Sequence, residues 1–156
     1  MPYTFTIHEA EPQPAMSMRG TTTRAQIANT IGAFMGEVWQ HLEASGAQIA
    51  GRPFTRYHGF NGEEIDLEAG FPVAAVASGS DRVRASSLPG GEVVSTVHRG
   101  PYERLPDAGA ALGEWLREHD RTAAGPMWEL YVTNPGDVTD PADYETIVSV
   151  PLQPRG

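Results

Sequence analysis

Glu129 is the residue whose type and position point most directly to chemistry. It lies in the segment Trp128-Glu129-Leu130-Tyr131, and successive side chains of a strand point to opposite faces, so Glu129 and Tyr131 share one face. A carboxylate beside tyrosine rings can hold an organic cation, through its charge and through cation–π contacts of roughly 0.5 to 2 kcal/mol per ring. The same pair could instead supply a general acid or base with a hydrogen-bond partner.

A second copy of this segment lies earlier in the chain. The segment from Gly51 to Tyr57 aligns with the one from Gly125 to Tyr131, with an offset of 74 residues at both ends (125 − 51 and 131 − 57). Thr55 takes the place of Glu129, and Tyr57 takes the place of Tyr131. A duplication with one asymmetric carboxylate predicts a pocket between the copies, to which Tyr57 comes by pseudo-symmetry.

Several of these residues have simpler interpretations. Glu129 could be an exposed carboxylate paired with an arginine, and the tyrosines could be core residues with satisfied hydroxyls. Trp39 lies on the apolar face of a predicted helix, where it either packs in the core or offers its indole to a ligand. By alternation Trp128, with Leu130 and Val132, should pack against the helices, unless a bulge turns it into the cleft.

The elements expected to position these residues form two copies of a strand–helix–strand–strand module. The fold class is therefore α+β, with two modules of antiparallel strands and helices that pair around a pseudo-two-fold axis. A first module of about residues 1–85 and a second of about 92–154 make one domain over 1–156, joined by the connector 86–91. In the first module we predict strands at 3–8, 16–20, 53–60, 64–69 and 73–78 and a helix at 25–45; in the second, strands at 92–98, 127–133 and 144–152 and a helix at 105–119.

Composition excludes several classes of protein. The chain has 156 residues, 40% of them hydrophobic, which suits a globular domain. Its net charge of −9 repels phosphate backbones and anionic lipid, so we expect neither direct nucleic-acid binding nor membrane binding. There is no cysteine, and the N-terminus lacks a charged segment followed by an apolar one. We expect a cytoplasmic protein.

Other site chemistries have no matching motif. The sequence contains no Gly-x-Ser-x-Gly elbow, no P-loop and no dinucleotide fingerprint, so we predict no cofactor. His58 and His98 end predicted strands without spaced partners, which favours structural or exposed roles and no metal site. The acidic run that includes Asp66 and Glu68 is either a set of paired carboxylates or, more simply, a solvated hairpin face.

Three ordered motifs resemble one family across nearly the whole chain. They are His98-Arg99-Gly100-Pro101-Tyr102-Glu103-Arg104-Leu105, the segment from Gly125 to Val132, and Glu145-Thr146-Ile147-Val148-Ser149-Val150-Pro151-Leu152. Together they resemble the GyrI-like family, small-molecule effector-binding domains found alone or attached to AraC-type and MerR-type regulators. The resemblance implies two related α+β modules that form a concave, aromatic-lined cleft, with the helices on its outer side, in which an acidic residue receives lipophilic, often cationic compounds.

The resemblance also extends the list of site residues and the range of functions. It implies that Tyr102 lies near the rim of the cleft, and Tyr144, just before the last strand, either lines the far wall or covers the sheet edge. We expect a stand-alone module that binds a small lipophilic ligand through Glu129, Tyr131, Tyr57, Trp39, Tyr102 and Tyr144, for drug sensing or sequestration. One alternative is a hydrolase of cyclopropane-bearing genotoxins that uses Glu129 and Tyr131. Another is an acidic protein that binds a protein partner, a regulator or gyrase.

Overall fold

The computed structural model describes residues 3–134 and 136–154 and shows a mixed α+β protein whose strands pair antiparallel. Pro135, in the predicted loop after the Glu129 strand, lies outside the described residues. The chain divides into two compact units. We call Pro12–Pro89 the continuous unit, and Met1–Glu11 together with Gly90–Gly156 the split unit.

The continuous unit is a four-stranded sheet with one helix on one face. Its elements are β2 (Gln13–Thr23), α1 (Ile27–Ser45), β3 (Phe54–Asn61), β4 (Glu64–Pro72) and β5 (Arg84–Leu88), with strand order β3-β4-β2-β5. The helix ends at Gly46, whose φ of 72° is the left-handed cap that the sequence predicts. The core under α1 is apolar, with Val38 and Leu42 packed on Met16 and Phe71.

The split unit is also a four-stranded sheet with one helix. Its elements are β1 (Phe5–Ala10), β6 (Gly91–Arg99), α2 (Leu105–Glu118), β7 (Trp128–Tyr131) and β8 (Glu145–Pro151), with strand order β1-β6-β8-β7. Leu112 and Trp115 of α2 pack on Val94 of β6 and on Val148 and Val150 of β8. These contacts fix which face of the split-unit sheet is covered by α2.

The N-terminal strand does not join the sheet of the segment that follows it. β1 pairs with β6, with Phe5 opposite Thr96, whereas β5 pairs with β2, with Ser86 opposite Ala15. Each of the runs β1–β4 and β5–β8 therefore has the order strand, strand, helix, strand, strand, and its first strand completes the sheet of the other run. For this reason the compact units differ from the predicted modules of about 1–85 and 92–154.

Two predicted segments are wrong. The strand predicted at 73–78 is reduced to one bridge between Val73 and Ile49, because the main strand, β4, already ends at Pro72. The segment 86–91 is not a free connector, because residues up to Leu88 belong to β5 and pair with β2. The connector between the sheets is therefore short, and Gly91, with φ of 96°, already begins β6.

The last residue of one main strand in each unit accepts an equivalent backbone hydrogen bond. In the continuous unit the amide of Ala50 donates to the carbonyl of Pro72 at 2.9 Å. In the split unit the amide of Ala124 donates to the carbonyl of Pro151 at 2.8 Å. Ala50 and Ala124 are 74 positions apart, which is the offset of the repeated segments. The glycine that begins each segment therefore follows an equivalent contact.

Candidate functional site

The register of β7 on β8 determines where Glu129 points. Glu129 lies opposite Val148, which belongs to the core under α2, and Tyr131 lies opposite Thr146. Tyr131 also packs against that core. The two residues share one face, as the alternation predicts, and it is the face that α2 covers.

Trp128 and Leu130 lie on the other face, so the prediction that they pack against the helices is wrong. They line a groove of about 670 Å³ on the sheet of the split unit, together with Ile147 and Ser149 of β8. The physical reason is that α2 already finds its apolar partners on β6 and β8. The short strand β7 contributes Glu129 and Tyr131 to the helix-covered side instead.

Glu129 is a buried carboxylate held by a tyrosine hydroxyl. Only 4% of the residue is exposed, and the hydroxyl of Tyr131 donates to Oε1 at 2.8 Å. The ring of Tyr102 lies 5.6 Å from the ring of Tyr131, edge to face, and 5.0 Å from that of Tyr144. We call Tyr102, Tyr131 and Tyr144 the tyrosine cluster. The structure thus brings together four of the six residues predicted to bind a ligand.

The surroundings of Tyr102 affect the acidity of its hydroxyl. Burial raises the pKa of the Tyr102 hydroxyl above its usual value, and the nearby Tyr144 and Glu129 raise it further. Tyr102 begins the short 3-10 turn Tyr102–Arg104 that leads into α2, and Tyr144 precedes β8. The site therefore offers one carboxylate and three aromatic rings, groups that can attract an organic cation.

Tyr57 and Trp39, the other two predicted ligand residues, belong to the continuous unit. Tyr57 lies on β3 with its ring stacked 6.0 Å from Phe60. Trp39 lies on α1, 44% exposed, with its ring 5.8 Å from Phe71, so it is not a fully buried core residue. Their contact with a ligand stays a prediction. Thr55, the counterpart of Glu129, is fully buried, and its hydroxyl has no hydrogen-bond partner among the described residues.

A second buried carboxylate, Glu68, is not among the predicted site residues. It is 3% exposed, so the expectation of a solvated hairpin face is wrong at this position. Its Oε2 accepts hydrogen bonds from Ser17 at 2.6 Å and Ser86 at 2.5 Å, and its Oε1 accepts from Arg56 at 2.9 Å and His58 at 2.7 Å. Burial alone would raise the pKa of this carboxyl, but these hydrogen bonds and the arginine charge lower it to about 2.

His98 is a buried histidine whose two ring nitrogens both have hydrogen-bond partners. It is 4% exposed, its Nε2 lies 3.3 Å from the carbonyl of Pro101, and its Nδ1 lies 2.9 Å from the hydroxyl of Tyr3. The sequence feature that could have indicated this role is the position of His98 just before the Gly-Pro turn that leads to Tyr102.

Among residues 3–134 and 136–154 no cluster of three or more potential metal ligands occurs. No helix in the same ranges is long and apolar enough to cross a membrane.

Comparison with known proteins identifies the family. The model of the GyrI-like small molecule binding domain matches residues 3–153. The chain belongs to this family. A search of curated protein sequences gives no significant match.

Solved structures share the fold at low sequence identity. The EcmrR C-terminal domain is 19% identical, with a TM-score of 0.87 over 99% of this chain and 100% of that one. SAV2435 bound to tetraphenylphosphonium is 13% identical, with a TM-score of 0.61 over 98% and 94% of the two chains. A hydrolase from Listeria innocua is 10% identical, with a TM-score of 0.61 over 96% and 91%. At these identities the likeness establishes the fold.

Proposed function

We propose that this member of the GyrI-like family binds lipophilic compounds, cationic or aromatic, at Glu129 and the tyrosine cluster. The observation that carries the proposal is the buried Glu129 carboxylate, held by Tyr131 at 2.8 Å beside the rings of Tyr102 and Tyr144. A cation at this position gains Coulomb attraction in a partly desolvated setting, and each ring adds a cation–π contact. A neutral aromatic compound would use the rings alone.

The related structures support this ligand class. Tetraphenylphosphonium, the compound bound to SAV2435, is a cation whose charge is enclosed by four phenyl rings. Such a compound places its charge next to a carboxylate only if the site also accepts aromatic rings, and the tyrosine cluster supplies matching ring faces and edges. We propose that binding serves either to sequester such compounds in the cytoplasm or to signal their presence to a partner protein.

The test is isothermal titration calorimetry with tetraphenylphosphonium on the wild type and on Glu129→Gln. The amide keeps the shape of the side chain and removes its charge, so the dissociation constant should rise roughly tenfold or more, equivalent to about 1.4 kcal/mol or more. Triphenylphosphine oxide, which is neutral and aromatic, should bind both proteins alike. The control is Glu118→Gln, which removes a carboxylate at the exposed end of α2. Equal affinity of wild type and Glu129→Gln for the cation would contradict the proposal.

A second candidate function is hydrolysis of a strained ring at the same site. It is favoured by the hydrogen bond from Tyr131 to a buried carboxylate, an arrangement that suits acid–base chemistry, and by the hydrolase among the structural neighbours. Glu129 would take a proton from a water molecule as the water oxygen forms a bond to one ring carbon. The carbon–carbon bond to that carbon would break, its electron pair would stay on the second ring carbon, and the protonated Glu129 would return the proton to that carbon. Mass spectrometry after incubation with a cyclopropane-bearing electrophile decides: a hydrated product with wild type but not with Glu129→Gln establishes the enzyme.

A further inference from the structure

We propose that His98 is a positioning residue that holds the turn carrying Tyr102, and that Tyr3 fixes the imidazole in place. The inference rests on the proposed function for its effect on ligand binding, but the geometry concerns the protein alone. Its consequence is that the tyrosine cluster depends on a residue near the start of the chain, about a hundred positions away in sequence.

The hydrogen bonds of His98 define one arrangement of its ring. A carbonyl oxygen only accepts, so Nε2 must carry the proton that is shared with Pro101 at 3.3 Å. In the neutral ring Nδ1 then accepts from the hydroxyl of Tyr3 at 2.9 Å. The Tyr3 ring also stacks on the imidazole, with centroids 6.1 Å apart and an interplanar angle of 25°. Both ring nitrogens therefore form hydrogen bonds, and these hold the imidazole in the orientation that contacts the carbonyl of Pro101.

Two hydrogen bonds hold the turn between His98 and Tyr102, one at Gly100 and one at Pro101. Gly100 has a φ of 141°, which side chains rarely adopt, and its amide donates to the carbonyl of Tyr144 at 2.8 Å. Pro101 follows with φ of −66°, and its carbonyl meets His98. Tyr102 is the next residue. The same turn is therefore joined to the backbone of one cluster tyrosine and carries another.

The N-terminal segment is attached to the sheet at the same place. The hydroxyl of Thr96 on β6 donates to the carbonyl of Thr4 at 2.8 Å, next to Tyr3. This bond holds Tyr3 over His98, which lies two residues further along β6. The order of contacts is thus N-terminal segment, His98, the Gly100–Pro101 turn, and Tyr102. No residue of this series before Tyr102 belongs to the proposed ligand site.

The test is a double-mutant cycle on tetraphenylphosphonium affinity with His98→Phe and Tyr102→Leu. His98→Phe keeps an aromatic ring and removes both hydrogen bonds, so it should weaken binding about threefold or more, a part of the cation–π contribution of Tyr102. In the Tyr102→Leu background the same change should have no further effect, because the residue through which His98 acts is gone. An equal loss in both backgrounds, or no loss in the wild-type background, would overturn the inference.

A ligand-free readout separates this inference from the proposed function. With ¹³C-labelled tyrosine, the ring signal of Tyr102, assigned by its loss in Tyr102→Leu, should shift in His98→Phe and in Tyr3→Phe. It should shift less in His98→Gln, whose amide can still donate to Pro101, and remain unchanged in the control His8→Gln, an exposed histidine of β1. An unmoved signal in His98→Phe and Tyr3→Phe refutes the positioning role whatever the ligand does. A moved signal in a protein whose affinity is insensitive to Glu129→Gln supports the positioning role and rejects the proposed ligand site.

Discussion

Glu68 and Glu129 are both strand carboxylates that are less than 5% exposed, yet their surroundings are built from different chemistry. Glu68 accepts hydrogen bonds from one guanidinium, one imidazole and two hydroxyls, which engage both of its oxygens. Glu129 accepts from a tyrosine hydroxyl and lies beside the rings of the tyrosine cluster. Burial alone therefore does not distinguish a structural carboxylate from one that we propose binds a ligand.

The difference lies in what the neighbouring groups can still do. The side chains around Glu68 donate hydrogen bonds to its carboxylate. Together with Glu68 they connect four strands of the continuous unit, β2, β3, β4 and β5. Such a saturated group stabilises a fold and offers little to a ligand. The faces and edges of tyrosine rings can contact a ligand while the hydroxyls keep their hydrogen bonds. We therefore expect changes at Glu68 to alter stability and changes near Glu129 to alter affinity.

The largest expected effect is on stability, from Glu68→Ala. Removing this carboxylate leaves the buried charge of Arg56 and the imidazole of His58 without their partner, a change that typically costs about 3–5 kcal/mol. Urea denaturation followed by circular dichroism measures the loss. The affinity for tetraphenylphosphonium should stay within about twofold of wild type under conditions where the variant remains folded.

Two control variants test the cause of that loss. Asp66→Ala removes a partly exposed carboxylate of the same strand, paired with Arg19 at 2.9 Å, and should change stability by no more than about 1 kcal/mol. The double change Arg56→Met with Glu68→Leu removes both charges and should be less destabilised than Glu68→Leu alone. If Glu68→Ala folds normally but loses ligand affinity, the contrast between the two carboxylates is wrong.

The next effect is the dependence of stability on pH. The pKa of Glu68 is lowered from 4.5 to about 2 in the folded protein. A depressed carboxyl pKa stabilises the fold fully above 4.5, and this contribution of about 3 kcal/mol is lost as the pH falls from 4.5 through 2. The difference in free energy of unfolding between wild type and Glu68→Gln should therefore be constant at pH 5 to 7 and shrink towards pH 2. A difference that does not change with pH would show that the pKa of Glu68 is not lowered in the folded protein.

Local patterns predicted both helices and most of the strands, and they predicted that Glu129 and Tyr131 share one face. The helices follow from a periodicity of three to four residues, and the shared face of β7 follows from alternation within four residues. Which face α2 would cover could not be predicted, because it depends on partners in β6 and β8 that are distant in sequence. Trp128 is apolar and buried at 7% exposure, yet lies on the face away from that helix.

Local sequence patterns could not predict the burial of Glu68 for the same reason. Alternation along β4 places Asp66 and Glu68 on one face of the hairpin, and the side chain of Asp66 is partly exposed. The groups that bury Glu68 come from three other strands, and Ser86 lies in a segment predicted to be a connector. A residue type and its alternation cannot reveal such partners until the pairing of β2 with β5 is known.

The smallest expected effect concerns the rings around Glu129. Tyr144→Leu removes a ring that lies 5.0 Å from Tyr102 and should weaken tetraphenylphosphonium binding by about 0.5–2 kcal/mol, or roughly 2- to 30-fold. Tyr144→Phe keeps the ring and should bind within about twofold of wild type, as calorimetry on both variants would measure. If the phenylalanine variant loses as much affinity as the leucine variant, the hydroxyl rather than the ring carries the interaction. The surroundings of Glu129 would then act as those of Glu68 do, through hydrogen bonds.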